Sequence, residues 1–193
     1  MWTSASQLIC QAALSAPGVQ ELFNVRNVSF DLILLEAYFS DCFLHFAHKF
    51  KAPVAKFCSY GGSSWMFDSL GSPNPFSLVP DMNLDYTERM TFYQRLWNAV
   101  IGGVQVIVRR YYLLPTMDRL VRETLNITEE FPSLLELDST ATSILMLNTH
   151  FSVGFPRALT PNIIEVAGIH VKPARKLPQV GATSFYNYPV RRS

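Results

Sequence analysis

Charge is scarce in this chain and nearly balanced. Only 16% of its 193 residues are Asp, Glu, Lys or Arg, and the formal net charge is +1. That argues against a nucleic-acid partner, which needs a concentrated basic face. Cysteine is scarce as well. Cys10, Cys42 and Cys58 form no CxxC pair and no zinc spacing, and an odd, scattered set does not describe a disulfide framework. They are expected to be small buried apolar side chains, and no metal site is expected. No basic, apolar leader follows Met1, so no signal peptide is read there. Long apolar runs are absent too. The greasiest candidate, Leu96–Val108, is about 13 residues long and interrupted by Asn98, Gln105 and the Gly102-Gly103 pair. A bilayer needs about 20. There is no internal repeat, no phosphate-binding glycine fingerprint and no nucleophile–base arrangement of a stand-alone enzyme.

What remains is apolar: hydrophobic residues make up 49% of the chain. That composition and length suit one globular domain with a sizeable core. Ser4–Leu14 and Val19–Val25 are amphipathic and predict helices on either side of Ala16-Pro17-Gly18. Phe30–Leu35 is a continuous apolar run after Asp31 is passed, which predicts a parallel strand buried on both faces. Tyr38–Phe50 carries Phe39, Cys42, Phe43, Phe46 and Phe50 at helical spacing, and Val54–Cys58 is the next strand. A Gly-, Ser-, Pro- and Asn-rich loop runs from Gly61 to about Asp85. A long helix is expected from Thr87, capped by Thr87 or Asp85, to about Tyr112 before Pro115. Helices over Met117–Leu125 and Phe131–Asp138 follow. Strands at Ile144–Asn148 and Ile163–Val166 flank a loop with Gly154, Pro156 and Pro161, and Gly168 makes a sharp turn. The alternation predicts an α/β fold with a mostly parallel sheet.

Three separated strings are more specific than any of these patterns. They are Pro73-Asn74-Pro75-Phe76-Ser77-Leu78-Val79-Pro80, then Met90-Thr91-Phe92-Tyr93-Gln94-Arg95-Leu96-Trp97-Asn98, and then the stretch Asn148–Pro173. In this order they resemble the N-terminal, acceptor-binding domain of the UDP-glycosyltransferase family, in particular the animal, insect-like UDP-glucuronosyltransferases. The resemblance runs from about Phe30 to Pro178. It implies the Rossmann-like N-terminal half of a two-domain GT-B glycosyltransferase, truncated at both ends. Residues 1–177 would form the partial acceptor-binding domain, and 178–193 a disordered tail where the linker to a UDP-sugar domain would begin. It also implies a small lipophilic acceptor and a UDP-sugar co-substrate, UDP-glucose or UDP-glucuronate, held mostly by the other domain. No tightly bound cofactor is implied. A homo- or hetero-oligomer with full-length relatives is a further expectation. The family's place is the membrane and lumen of the endoplasmic reticulum. Two N-glycosylation sequons, at Asn27 and Asn126, fit a lumenal protein.

In open α/β sheets, ligands lie beyond the carboxyl ends of the strands. Three such ends are Leu35–Phe39, Cys58–Gly62 and Asn148–Phe151. Glu36 is the expected catalytic residue. A carboxylate at a strand end can orient a histidine, accept a proton or cap the following helix. The resembling family has an aspartate there that holds the histidine deprotonating the acceptor. In this chain the residue is Glu, one methylene longer, and the family's histidine lies upstream of the matching region. Ser59 falls where relatives reach the donor sugar or phosphate. Tyr38, Phe39, Ser63 and His150 are expected to line the substrate pocket, with the aromatic segment Trp65–Phe76 beside it. His45 and His48 share a helix face that reads as solvated, and His170 reads as structural. The reading is a transferase present as its acceptor-binding half and inactive alone. The alternative is a non-catalytic, ligand-binding or inert product of the same lineage, with a sheet edge left open and poor solubility.

Overall fold

The computed structural model of the chain describes residues 2–127 and 130–173. Four strands, β1 (Ile33–Glu36), β2 (Val54–Cys58), β3 (Thr142–Leu147) and β4 (Ile163–Glu165), form one sheet in the order β1-β2-β3-β4. Every pairing is parallel. The helices are α1 (Trp2–Leu14), α2 (Pro17–Asn24), α3 (Leu44–Phe50), α4 (Ser64–Ser69), α5 (Phe92–Val108), α6 (Leu114–Leu125) and α7 (Leu134–Thr140). The expected α/β class with a parallel sheet is therefore present. The tail expected over 178–193 lies outside the described residues.

Two buried clusters hold the fold. One gathers Cys10 and Leu14 of α1, Phe46 and Phe50 of α3, and Met117 and Val121 of α6. The other packs Trp65, Met66 and Phe67 of α4 on Cys58, Leu145 and Leu147 of the sheet. The strands are apolar enough to be covered, but β1 is not the doubly buried strand expected. Leu32 is 55% and Leu34 64% exposed. The reason is position: β1 pairs only with β2 and forms an edge among the described residues. An apolar groove of about 280 Å³ runs beside it, walled by Leu22, Phe30, Leu32, Phe46 and Phe50 among others.

The expected Tyr38–Phe50 helix starts late. Phe39 takes a φ of +62°, a left-handed conformation that no α-helix contains. A 3-10 turn over Asp41–Phe43 then leads into α3. Neither Thr87 nor Asp85 caps the long helix. Thr91 does, in a reciprocal box with Gln94. The Thr-x-x-Gln pattern is the stronger start signal because it satisfies two otherwise orphaned amides. The helix does not stop before Pro115 either. A π turn over Arg109–Leu113 joins α5 to α6. Proline lacks an N–H and crowds the carbonyl four residues back. The wider turn accommodates both, and the Thr116 hydroxyl donates to the freed Tyr112 carbonyl at 2.6 Å.

Two side-chain expectations are overturned. Cys10 and Cys42 form a disulfide across a sequence separation of 32. Only Cys58 is the buried free thiol expected. The pairing escaped the spacing argument because packing, not sequence, sets α1 against the Asp41–Phe43 turn. His45 does not lie on a solvated face; it is fully buried, with Nε2 3.3 Å from Asp118 Oδ1. Burial drives its pKa down to about 4, against the opposing pull of Asp118. Its helix packs against α7, and Phe131 lies beside its ring.

Candidate functional site

The carboxyl ends of β1, β2 and β3 open on one cleft region. Its main cavity, about 320 Å³, is lined by Tyr60, Gly61, Gly62, Pro80, Met82, Thr149, Gly154, Phe155 and Arg157. A smaller annex of about 40 Å³ lies on the far side of Met82, between Tyr38, Ser63, Trp65, Asn83 and Gln105. Gly62 is required at the floor. Its φ is +80°, and an added Cβ would come within 3.0 Å of Phe67 and 3.2 Å of Leu147.

Glu36 is the last residue of β1, in register with Phe57. Burial lifts its carboxyl above the ordinary value, and the backbone amides of Ser59 and Tyr38 pull it back. The Ser40 hydroxyl bonds the Glu36 carbonyl, so the turn that follows is tied to this residue by backbone rather than carboxylate. None of His45, His48, His150 and His170 is joined to Glu36 by a hydrogen bond or ion pair. Ser59 is exposed at the tip of β2, and its carbonyl accepts from Asn148 Nδ2 at 3.3 Å.

The expected pocket residues separate into two groups. Tyr38 and Ser63 line the annex. Tyr38 stacks on Phe39 at 4.0 Å and meets Tyr60 edge-on at 5.9 Å. The Tyr60 hydroxyl and Ser63 Oγ are 2.8 Å apart, and Ser63 Oγ also lies 3.2 Å from Met82 Sδ. Phe39 reaches the site through Tyr38, from a strained backbone. His150 is exposed, with Nδ1 2.7 Å from Ser152 Oγ, and Thr149 next to it lines the cavity instead. Strand pleating explains the exchange, since neighbours face opposite sides.

Two of the specific strings meet here as one scaffold. Asn98, completely buried, donates to the carbonyls of Phe76 (2.6 Å) and Val79 (2.8 Å) and accepts from the Asp81 amide (2.7 Å). Asp81 in turn accepts from Ser64 Oγ, Asn83 and Gln105. The Phe76 ring lies on Gly102 so closely that a Cβ there would sit 2.1 Å from it. These residues build the wall that carries Pro80 and Met82. They do no chemistry themselves.

Sequence reasoning missed two cationic features. Arg157 lines the cavity with its guanidinium 4.6 Å from the Phe67 ring centroid. Burial lowers its pKa while Asp81 and Glu165 act to raise it. Behind the annex, Lys56, Arg109, Asp41 and Asp138 form a buried ion quartet. Arg109 grips Asp138 with two nitrogens and Asp41 at 3.0 Å, and Lys56 reaches Asp138 at 3.2 Å and Asp41 at 3.6 Å. Burial alone would raise Asp138, but Arg109 and Lys56 outweigh it and hold its pKa low. Lysine in the otherwise apolar run Val54–Cys58 was the one visible signal, since a charge inside a covered strand demands a partner.

No group of three or more His, Cys, Asp or Glu among the described residues is arranged to hold a metal ion. No described helix is long and apolar enough to cross a membrane.

Similarity to known proteins agrees with this geometry. The family model described as "UDP-glucoronosyl and UDP-glucosyl transferase" matches residues 2–187. UDP-glucosyltransferase 2 of Dactylopius coccus is 31% identical over 90% of this chain and 33% of its own length. The human 2-hydroxyacylsphingosine 1-beta-galactosyltransferase is 30% identical over 80% of this chain and 27% of its own length. Human UDP-glucuronosyltransferase 1A10 is 29% identical over 82% of this chain and 30% of its own length. The chain thus spans about a third of the relatives it matches. No solved structure matches it. By a match that covers nearly all of its residues, the chain belongs to the UDP-glucuronosyl and UDP-glucosyl transferase family.

Proposed function

We propose that this chain forms the acceptor-binding part of a UDP-glycosyltransferase. The reaction moves a hexose or glucuronic acid from a UDP-sugar to the hydroxyl of a small lipophilic compound. The observation that carries this reading is the cleft at the strand ends. It is walled by Tyr60, Pro80, Met82 and Phe155 and carries few polar groups, which suits an apolar ring with one hydroxyl to orient. In the transfer, the acceptor proton passes to a base and its oxygen bonds the anomeric carbon. The bond from that carbon to UDP breaks. Glu36, at the end of β1 with a raised pKa, is suited to take up that proton or to orient a base that does. Arg157 is suited to face the charge that develops on UDP, and Ser59 the donor sugar or phosphate. The Cys10–Cys42 disulfide supports an oxidising compartment such as the lumen of the endoplasmic reticulum.

Titration of the chain with 1-naphthol, followed by intrinsic fluorescence, tests the pocket. Saturable binding weakened by Met82→Asp or Phe155→Asp is expected, and absence of binding overturns the reading. Release of UDP from UDP-glucose or UDP-glucuronate tests the chemistry, with Glu36→Gln slowing it about 100-fold. Binding of 1-naphthol without UDP release would favour a binding-only role. That second reading draws on one observation, the lack of any histidine paired with Glu36.

A further inference from the structure

The ion quartet and the aromatic wall of the annex meet at one contact. The Arg109 guanidinium lies over the Trp65 ring, 4.4 Å from its centroid. Trp65 faces Tyr38 at 6.4 Å with a tilt of 32°, and Tyr38 meets Tyr60 at 5.9 Å. Tyr60 belongs to the main cavity. A continuous stack therefore runs from a buried cation to the wall of the cleft.

Arg109 is well made for such a role. It is 4% exposed and opens the π turn, whose extra residue re-aims the helix side chains at this level. Asp138 grips both terminal nitrogens and Asp41 one of them, so the guanidinium plane cannot rotate. Its Nε has no hydrogen-bond partner, and its flat face is given to Trp65. A lysine could serve the two carboxylates but has no planar face to offer the ring. A desolvated cation over an indole is the strongest form of this contact.

We propose that Arg109 is a positioning residue for acceptor binding: the guanidinium, fixed by Asp138 and Asp41, sets the place of Trp65 and through it the Tyr38–Tyr60 wall. This rests on the reading of the cleft as an acceptor pocket. Arg109 touches no substrate; it acts through Trp65.

The test uses the full chain with Trp2 and Trp97 replaced by Phe, so that Trp65 is the sole tryptophan. Arg109→Lys is compared with Lys56→Met. Both disturb the quartet and lower thermal stability, but Lys56 contacts only the two carboxylates and leaves the Arg109 face on Trp65. Arg109→Lys is expected to weaken 1-naphthol binding about fivefold and to shift Trp65 emission to the red. Lys56→Met should keep the affinity within about twofold, its effect confined to stability. If the two variants lose affinity in parallel with stability, or Arg109→Lys keeps full affinity, the proposal is overturned. If Arg109→Lys does not fold, Trp65→Phe leaves all four charges in place and is expected to weaken binding about threefold. Unchanged affinity in that variant overturns the proposal as well. Failure of the parent chain to bind 1-naphthol removes the acceptor reading itself. Normal parent binding with an unresponsive Arg109→Lys removes only the positioning role.

Discussion

Reduction of the Cys10–Cys42 bridge should cost this fold a large share of its stability. The bridge pins α1 to the Asp41–Phe43 turn, and α1 lies along α6. Its sequence separation is 32, and closing a loop of that length in the unfolded chain is worth about 4 kcal/mol in the loop-entropy account. For a chain of this size each kcal/mol moves the melting point by about 2–4 °C, so loss of the bridge should lower it by roughly 10 °C. The assay is thermal melting with and without a phosphine reductant, beside a Cys10→Ser/Cys42→Ser variant that should match the reduced protein and ignore the reductant. A thiol titration in denaturant provides the count. One free thiol per oxidised chain, that of Cys58, is expected. Three free thiols, or identical melting in both redox states, would refute the reasoning.

Neighbouring glycines of α5 should respond with opposite signs. Gly103→Ala meets nothing within 4 Å and gains helix propensity, so it should stabilise by up to about 1 kcal/mol in urea unfolding. Gly102→Ala gains the same propensity but drives a Cβ to 2.1 Å from Phe76, and overpacking of about 1–3 kcal/mol should win. His45 sets a pH dependence. The unfolded imidazole binds its proton below pH about 6.5, whereas the buried ring resists until about pH 4. Stability should therefore fall by about 3 kcal/mol as pH drops through that window, and His45→Gln should flatten the slope of urea midpoint against pH. Asn27 and Asn126 are both exposed at left-handed turns, with φ of 60° and 52°. Secreted behind an added leader, the chain should carry glycan at both, read as stepwise mobility shifts lost in Asn27→Gln and Asn126→Gln.

The layout of the fold was legible in the sequence where local pattern and tertiary position agree. Val54–Cys58 reads as a strand and is one, and all four expected strands exist in a parallel sheet. Pattern failed where another residue's position decides the outcome. Phe30–Leu35 reads as covered on both sides, but coverage depends on whether a further strand lies beside it. His45 and His48 look equivalent on a helix face, yet only one of them meets α6. Asp41, Arg109 and Asp138 look like surface charges because nothing in their local spacing announces a partner; they are separated by up to 97 positions, 138 minus 41. In the candidate site, Glu36, Ser59 and Tyr38 could be named because strand ends can be read. Thr149 rather than His150, and Arg157, needed the pleat and the loop to be seen. The resemblance strings were informative about lineage for a physical reason: Asn98 and Gly102 hold the loop that carries Phe76, Val79 and Asp81, and neither partner can change alone.

The π turn has a consequence for how this lineage can vary in length. One residue removed between Arg109 and Leu113 would restore ordinary helical pitch and swing α6 by about 100°. Met117, Val121 and Leu125 would leave the core they fill, and Asp118 would part from His45. The upstream half of the rod answers to the cleft loop through Asn98 and Gly102, and the downstream half to the disulfide-tied layer around Cys10. The extra residue keeps the two halves in phase with different neighbours. A single-residue deletion there is thus a deletion in the core, although it falls in a stretch where Arg110, Tyr111 and Tyr112 are exposed to solvent.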